Sequence, residues 1–136
     1  SRGLVGSEMC IRDSYGNAVI VNTEYAAANG DTVKAFLGAV AAGWKDAIAD
    51  PTAAAAALVK RNPAADAALE ERRLELAINA NVLTDYVKAN GMGGIDSARF
   101  SAAIKQLSET YDYKAAPDAA LYFTDAYLPA GGFPVK

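Results

Sequence analysis

Three carboxylates in the middle of the chain are the first candidates for chemistry. Glu70, Glu71 and Glu75 fall in one predicted helix, and neighbouring carboxylates can transfer protons or bind cations. Arg72 and Arg73 stand between them, however, and Glu71 and Glu75 have the i, i+4 spacing of neighbours on one helix face. Because this mixture of charges is typical of a solvated helix face, we predict no catalytic residue there.

A second candidate is the glycine-rich stretch NGMGGID at 90–96. Glycine-rich loops that lead into a helix can bind anions. This one lacks a preceding strand and a Gly-Lys-Ser/Thr sequence, and Asp96 is placed to occupy the amide donors of the following helix itself. We therefore predict a structural turn in which Gly91, Gly93 and Gly94 permit positive φ.

The third candidate is Tyr15-Gly16-Asn17, which precedes a short apolar run at 18–21. That run is typical of a buried strand. Gly16 lets the backbone approach another group closely, and ligands of open α/β sheets gather beyond strand ends. The three residues are thus candidates for ligand contact, and a turn that merely starts the strand is the alternative interpretation.

Composition disfavours several classes of function. The chain has no histidine, the usual general base and metal ligand, and its single cysteine, Cys10, allows neither an intramolecular disulfide nor a cysteine metal cluster. We therefore predict no enzyme activity, no metal and no cofactor. The net charge is −3 and the basic residues are mostly dispersed, so no nucleic-acid partner is predicted. Charged residues interrupt every long apolar stretch, so no membrane-spanning segment is predicted.

The rest of the sequence predicts helices. Thr23 is placed to cap a short helix through Ala28, and a longer helix follows from Asp31. Asp50-Pro51 ends that helix and starts another, which runs to about Arg61. The longer helix has a stripe of apolar residues at helical spacing, namely Val33, Phe36, Leu37, Val40, Trp44 and Ile48.

The second half predicts two more helices. Asn62-Pro63 predicts the start of a long helix to about Lys88, in which Asn79 and Asn81 lie at a solvated edge or a bend. Asp96 caps the last helix. The fold class predicted for this chain is mostly α-helical with about one short strand. Because a lone strand cannot satisfy its own backbone groups, we interpret the chain as part of a larger α/β protein.

Several ordered segments carry a resemblance to a known family. YGNAVIVNTEYAAANGDTVKAFLGAVAAGWKDAIADP resembles a second-lobe segment of NMT1/THI5-like periplasmic solute-binding proteins. These are receptors of ABC importers for nitrate, sulfonates, taurine and thiamine precursors. The likeness continues through KRNPAADAALEERRLELAINANVLTDYVKANGMGGIDSARFSAAIKQL and YFTDAYLP, and so runs from Tyr15 to about Pro129.

The resemblance implies an α/β parent fold of the type II periplasmic binding protein, with a ligand held in a cleft between two lobes. It implies that 15–136 is the C-terminal part, and that the signal peptide and first lobe lie upstream. YGNA matches a family segment near the cleft, so Tyr15, Gly16 and Asn17 are the ligand neighbours that it implies. It further implies a periplasmic receptor that delivers a small organic molecule or anion to an ABC transporter permease.

The first 14 residues are interpreted separately. SRGLVGSEMCIRDS fits neither helical nor strand periodicity, and RGLVGSEMCIRDS resembles a translated sequencing-adapter artefact. The family likeness begins only at Tyr15. We therefore interpret 1–14 as a foreign, irregular segment.

Two other functions remain open at this stage. The same family likeness extends to pyrimidine-precursor synthases of thiamine biosynthesis, which share the fold but use histidine and cysteine chemistry that 15–136 does not supply. Alternatively, the apolar stripes are the partner surfaces of a free-standing helical interaction domain.

Overall fold

The structure is a computed structural model that describes residues 15, 17–111, 114 and 118–135. Gly16 and the predicted foreign segment 1–14 lie outside the described residues. The helices, in chain order, are α1 Thr23–Ala28, α2 Gly30–Ala49, α3 Pro51–Arg61, α4 Ala67–Ala77, α5 Asp85–Asn90 and α6 Ser97–Tyr111. A π-helical turn, Ile78–Val82, follows α4, and a 3-10 turn, Ala119–Leu121, follows α6.

The chain divides into two compact units. The first contains α1 and α6 and is built from the described residues of Ser1–Ala28 and Ile95–Ala126. The second contains α2, α3, α4 and α5 and is built from those of Asn29–Gly94 and Tyr127–Lys136. Each unit therefore joins segments that are far apart in the sequence.

The predicted strand at 18–21 does not form. Within the part of the chain that the structure describes there is no strand, and the only β-type pairing is an isolated antiparallel bridge between Met92 and Phe133. Ile20 is 93% exposed and Val19 is also exposed. A strand needs a hydrogen-bonding neighbour, and the described residues supply none. The prediction of one short strand is therefore wrong for this chain, whereas its mostly helical character is confirmed.

The helix starts show which side chains serve as caps. Asn22, and not the predicted Thr23, caps α1, since its Oδ1 accepts from the amide of Tyr25 at 2.9 Å. The junction at Asp50-Pro51 is confirmed: Asp50 Oδ1 accepts from the amide of Ala53 at 2.9 Å, and Pro51 is the first residue of α3. A proline is tolerated at that position because its missing N–H would have no partner within the helix.

The predicted long helix from Pro63 to about Lys88 is wrong. Pro63 lies in a turn instead, and α4 begins after Asp66, whose Oδ1 accepts from the amide of Leu69 at 2.8 Å. A second interruption follows the π-helical turn, where Thr84 Oγ1 accepts from the amide of Val87 at 3.3 Å and starts α5. Short polar side chains that accept from the backbone thus compete with helix continuation at two places.

The closing segment of the chain, 127–135, packs against other parts of the second unit. Met92 and Phe133 exchange backbone hydrogen bonds of 2.7 and 2.9 Å. A Cβ atom on Gly30 would lie 3.4 Å from the Tyr127 ring, and one on Gly93 would lie 3.0 Å from Leu128. The tail therefore covers the start of α2 and the glycine loop.

The core is small and rich in alanine. Among the described residues, the buried ones are Ala26, Val33, Ala41, Ala55 and Ile78. The apolar stripe of α2 is only partly covered, since Phe36 is 56% exposed while Val33 is buried. No large side chain of the described residues is fully buried. Several large apolar side chains of the described helices consequently remain in contact with water.

Candidate functional site

Tyr15, the first residue that the structure describes, contacts the start of α6. Its hydroxyl oxygen accepts a hydrogen bond of 2.6 Å from the backbone N–H of Asp96. Asp96 is also the cap of α6, because its Oδ1 accepts from the amide of Arg99 at 2.8 Å. The predicted cap at Asp96 is thus confirmed, and its own amide is satisfied by a side chain 81 residues earlier in the sequence.

The Tyr15 ring is held by the first turn of α6 as well. Phe100 makes an edge contact with it, with ring centroids 6.2 Å apart and an interplanar angle of 61°. The Arg99 guanidinium carbon lies over the Tyr15 ring, 5.1 Å from its centroid. Phe123 extends the aromatic row, with its centroid 6.4 Å from that of Phe100. Such aromatic and cation–π contacts each contribute roughly 0.5–1.5 kcal/mol at partly exposed sites.

Asn17 differs from Tyr15 in its surroundings. Its side chain is exposed and makes no hydrogen bond with another described residue. A carboxamide has donors on its nitrogen and an acceptor oxygen, so Asn17 retains both kinds of group for a ligand or for water. Of the three predicted site residues, the structure therefore places Tyr15 in a contact cluster and Asn17 at the surface, while Gly16 is not described.

The partners of Tyr15 were not identified from the sequence. Phe100 and Asp96 stand out there only as features of the start of α6, and Arg99 has no distinguishing pattern. Nothing in the local sequence relates them to Tyr15, because the contact depends on how distant segments pack. The one available signal is that Tyr15 is the aromatic residue nearest to the apolar run at 18–21.

Two of the three acidic residues of α4, Glu70 and Glu71, contact neighbouring side chains, whereas the Glu75 side chain is exposed. Glu70 forms an ion pair with Arg73 at 2.7 Å. Glu71 accepts a hydrogen bond of 2.5 Å from the Thr52 hydroxyl of α3. In the described ranges, no group of histidine, cysteine, aspartate and glutamate side chains is arranged to hold a metal ion. The glutamates thus act as surface and inter-helix contacts in this structure.

A shallow groove of about 230 Å³ lies where α3 packs against α4. Its lining is mainly apolar and carries the ion pair Glu70–Arg73 at one side: Ala54, Ala55, Leu58, Glu70, Arg73 and Leu74. Ala54 and Ala55 have small side chains, which allow the two helices to approach closely. Because its charges neutralise each other, the groove offers a small apolar surface without an unpaired charged group.

The loop at 90–96 has the geometry of a structural turn. Gly91 and Gly93 adopt φ values of 76° and 104°, which L side chains rarely reach. Gly94 is not among the glycines with positive φ. The loop pairs with the closing segment through Met92 and Phe133. Its backbone groups therefore serve tertiary packing.

No helix among the described residues combines the length and apolar character needed to cross a bilayer.

Comparison with known proteins gives one match. Residues 6–54 match the model of the family described as NMT1/THI5 like. This range includes Tyr15, Gly16 and Asn17 together with α1 and α2, and it supports the family resemblance seen in the sequence. The match begins within the first 14 residues, so it does not confirm that they are foreign. No curated protein and no solved structure matches the chain.

Proposed function

We propose that the chain is part of a solute-binding receptor of an ABC importer, in the NMT1/THI5-like family. The match of residues 6–54 to that family is the observation that carries the proposal. The ligand class is a small organic molecule or anion, and the receptor works in the periplasm. Its partners are the ligand and the transporter permease.

The side chains described above suit binding better than catalysis. Glu70 and Glu71, which could act in proton transfer, are held by Arg73 and Thr52. Asn17 presents a carboxamide that can donate and accept hydrogen bonds without changing its protonation state. Recognition of a polar solute needs such groups, whereas the chemistry of the related synthases depends on histidine and cysteine. We accordingly propose a protein without enzyme activity.

The exposed apolar residues support an incomplete α/β lobe. Ile20, in the run at 18–21, and Phe36, on the stripe of α2, are both exposed. In an α/β lobe, helices cover both faces of a parallel sheet, and its strands read as continuous apolar runs. We propose that 18–21 joins such a sheet and that α2 covers it when the remaining strands are present. The type II periplasmic binding fold is the parent fold that this implies.

In the proposed mechanism, two lobes close over a ligand about a hinge. Closure is driven only by the difference in ligand affinity between the open and closed states. The closed receptor then presents surfaces of both lobes to the permease. Asn17 lies on the lobe described here and contributes hydrogen bonds to the ligand.

A ligand screen on the intact protein tests the proposal. The protein encoded by the complete reading frame is mixed with nitrate, alkyl sulfonates, taurine and thiamine pyrimidine precursors, and its thermal unfolding midpoint is measured. A receptor is stabilised by one compound, which is recovered chemically unchanged, because binding to the native state raises stability by mass action. Conversion of a cofactor into a pyrimidine product contradicts the proposal and identifies the synthase instead.

The complete reading frame also distinguishes the proposed receptor from a free-standing interaction domain. A receptor requires an export signal and a first lobe upstream of Tyr15. If neither is encoded, and if no compound in the panel raises the unfolding midpoint, the receptor proposal is contradicted.

A further inference from the structure

We infer that Tyr15 is a positioning residue, which fastens the segment carrying Asn17 to the first turn of α6. The inference concerns Tyr15 itself, and it rests on the proposed function only in giving Asn17 the ligand contact. It assigns different roles to Tyr15 and Asn17, which are both predicted ligand neighbours.

The amide of Asp96 donates a hydrogen bond of 2.6 Å to the Tyr15 hydroxyl oxygen. Asp96 precedes α6, and its amide has no intrahelical acceptor. A partly buried amide that loses its acceptor costs free energy comparable to a hydrogen bond. The Tyr15 oxygen therefore satisfies a group that the helix cannot satisfy itself.

The hydrogen bond does not act alone. The Tyr15 ring also contacts the Phe100 ring and the guanidinium of Arg99. Arg99 in turn donates its amide to Asp96, so one turn of helix holds the tyrosine at its hydroxyl, its edge and its face. Contacts at these separate points fix both the position and the orientation of the ring.

Asn17 lies two residues after Tyr15, and its side chain has no described hydrogen-bond partner that would hold it. Apolar burial does not hold the segment either, because residues 17–20 are all exposed. Among the described residues, Tyr15 is therefore the contact with α6 that lies nearest to Asn17 along the chain.

Amide hydrogen exchange in the 136-residue chain, measured by NMR without ligand, tests the hydrogen bond. Tyr15→Phe keeps the ring and removes the acceptor. We expect exchange at the Asp96 amide to rise roughly 2- to 10-fold, which corresponds to the net contribution of one hydrogen bond. The Arg99 amide is the internal control, because its acceptor is the Asp96 side chain and remains present. Tyr122→Phe is the matched control variant, since Tyr122 belongs to the same unit and is 66% exposed.

Backbone order parameters at Asn17 test the positioning role. Tyr15→Leu removes the hydroxyl and the ring contacts, and we expect the Asn17 order parameter to fall relative to Tyr122→Leu. Unchanged exchange at Asp96 in Tyr15→Phe, or an unchanged order parameter at Asn17 in Tyr15→Leu, overturns the inference. An equal rise in the exchange rates of the Asp96 and Arg99 amides in Tyr15→Phe also overturns it, because the hydroxyl would then support α6 as a whole. These measurements need no ligand, so their failure is separate from failure of the proposed receptor function.

Discussion

Tyr15 and Asn17 are two residues apart but differ in what they contact. The hydroxyl oxygen and the ring of Tyr15 both contact the start of α6, whereas the Asn17 carboxamide is exposed. If the proposed receptor function is right, the two residues should respond differently to substitution. Loss of Tyr15 should change local structure, and loss of Asn17 should change affinity.

Asn17→Ala is therefore expected to weaken ligand binding without lowering stability. Removing a single hydrogen-bonding side chain from the intact receptor should cost about 1 kcal/mol, which is roughly a fivefold increase in Kd. Isothermal titration of both proteins with the ligand from the screen measures the change. Because Asn17 contacts no described residue through a hydrogen bond, the unfolding midpoint should stay the same. An unchanged Kd removes Asn17 from the site.

Gly91 is expected to be intolerant of any side chain. It has a φ of 76°, and a Cβ there would overlap the backbone oxygen of Gly131 and lie 3.1 Å from that of Phe133. Gly91→Ala should therefore destabilise the chain by about 1–3 kcal/mol, seen as a lower urea midpoint in circular dichroism. Gly38 is the control, since it lies inside α2 and a Cβ there meets no atom within 4 Å. Gly38→Ala should stabilise by roughly 0.5–1 kcal/mol. Equal midpoints for the two variants would contradict the packing of the tail against the loop.

At the residue scale, helix caps could be predicted from the sequence, whereas contacts between distant segments could not. The cap at Asp96 follows from its position before an apolar helical pattern. The hydrogen bond from its amide to Tyr15 spans 81 residues and leaves no local pattern in the sequence. The sequence therefore nominates Tyr15, Gly16 and Asn17 as ligand neighbours, but the contacts of Tyr15 with the start of α6 could not be predicted from it.

The start of each helix depends on which polar side chain accepts hydrogen bonds from the free amides of the first turn. Asp50-Pro51 was predicted correctly because the cap and the proline act together at one junction. At Asn62-Pro63 the same pair of residue types leads into a turn, with the amide of Ala65 donating to the Asn62 carbonyl at 3.0 Å. Asp66 then supplies the cap of α4. The two possible starts are close in sequence, and propensity does not choose between them.

Asp66→Ala is expected to weaken α4. The substitution removes the acceptor for the amide of Leu69, and losses of this kind cost about 1 kcal/mol. Circular dichroism during urea denaturation should show helix loss at a lower urea concentration. Asp85→Ala is the matched control: Asp85 is exposed, pairs with Lys88 at 3.6 Å, and follows the actual cap of α5, Thr84. Exposed pairs of this kind contribute little, so its midpoint should barely move. A larger loss in Asp85→Ala than in Asp66→Ala would contradict the cap assignment.

Two asparagines lie at the break within the predicted long helix. Asn79 and Asn81 lie in the π-helical turn and are exposed, which agrees with their prediction at a solvated edge or bend. Asn79 Nδ2 donates to the carbonyl of Glu75 at 2.9 Å, so its side chain competes for backbone groups at this point. Periodicity alone did not reveal the break, because the apolar residues on either side continue at helical spacing.

At the scale of the whole molecule, the described residues bury little apolar volume. The buried residues of the described part are mostly alanine, and Leu76 and Leu121 are 70% and 80% exposed. Because alanine side chains are small, burying them contributes little hydrophobic free energy to folding. The mostly helical class could be predicted from the sequence. So could the lack of sheet partners for 18–21, because the sequence offers a single strand-like run and the described residues supply no neighbouring strand.

Thermal unfolding of the 136-residue chain is expected to be broad. Small buried volume gives a low enthalpy of unfolding, below the value of about 0.7 kcal/mol per residue that complete globular domains show near 60 °C. Scanning calorimetry measures that enthalpy, and binding of a dye specific for exposed apolar surface provides an independent readout. A sharp transition of a monomer with full enthalpy would instead favour the free-standing helical domain.

We propose that this chain belongs to a receptor that binds a small solute and releases it unchanged. Isothermal titration of the intact protein, with each compound of the panel, tests it most directly. We predict saturable binding of one compound at one site per protein, followed by its quantitative recovery without chemical change. An intact protein that binds none of the compounds, or that returns the bound compound as a different product, contradicts the claim.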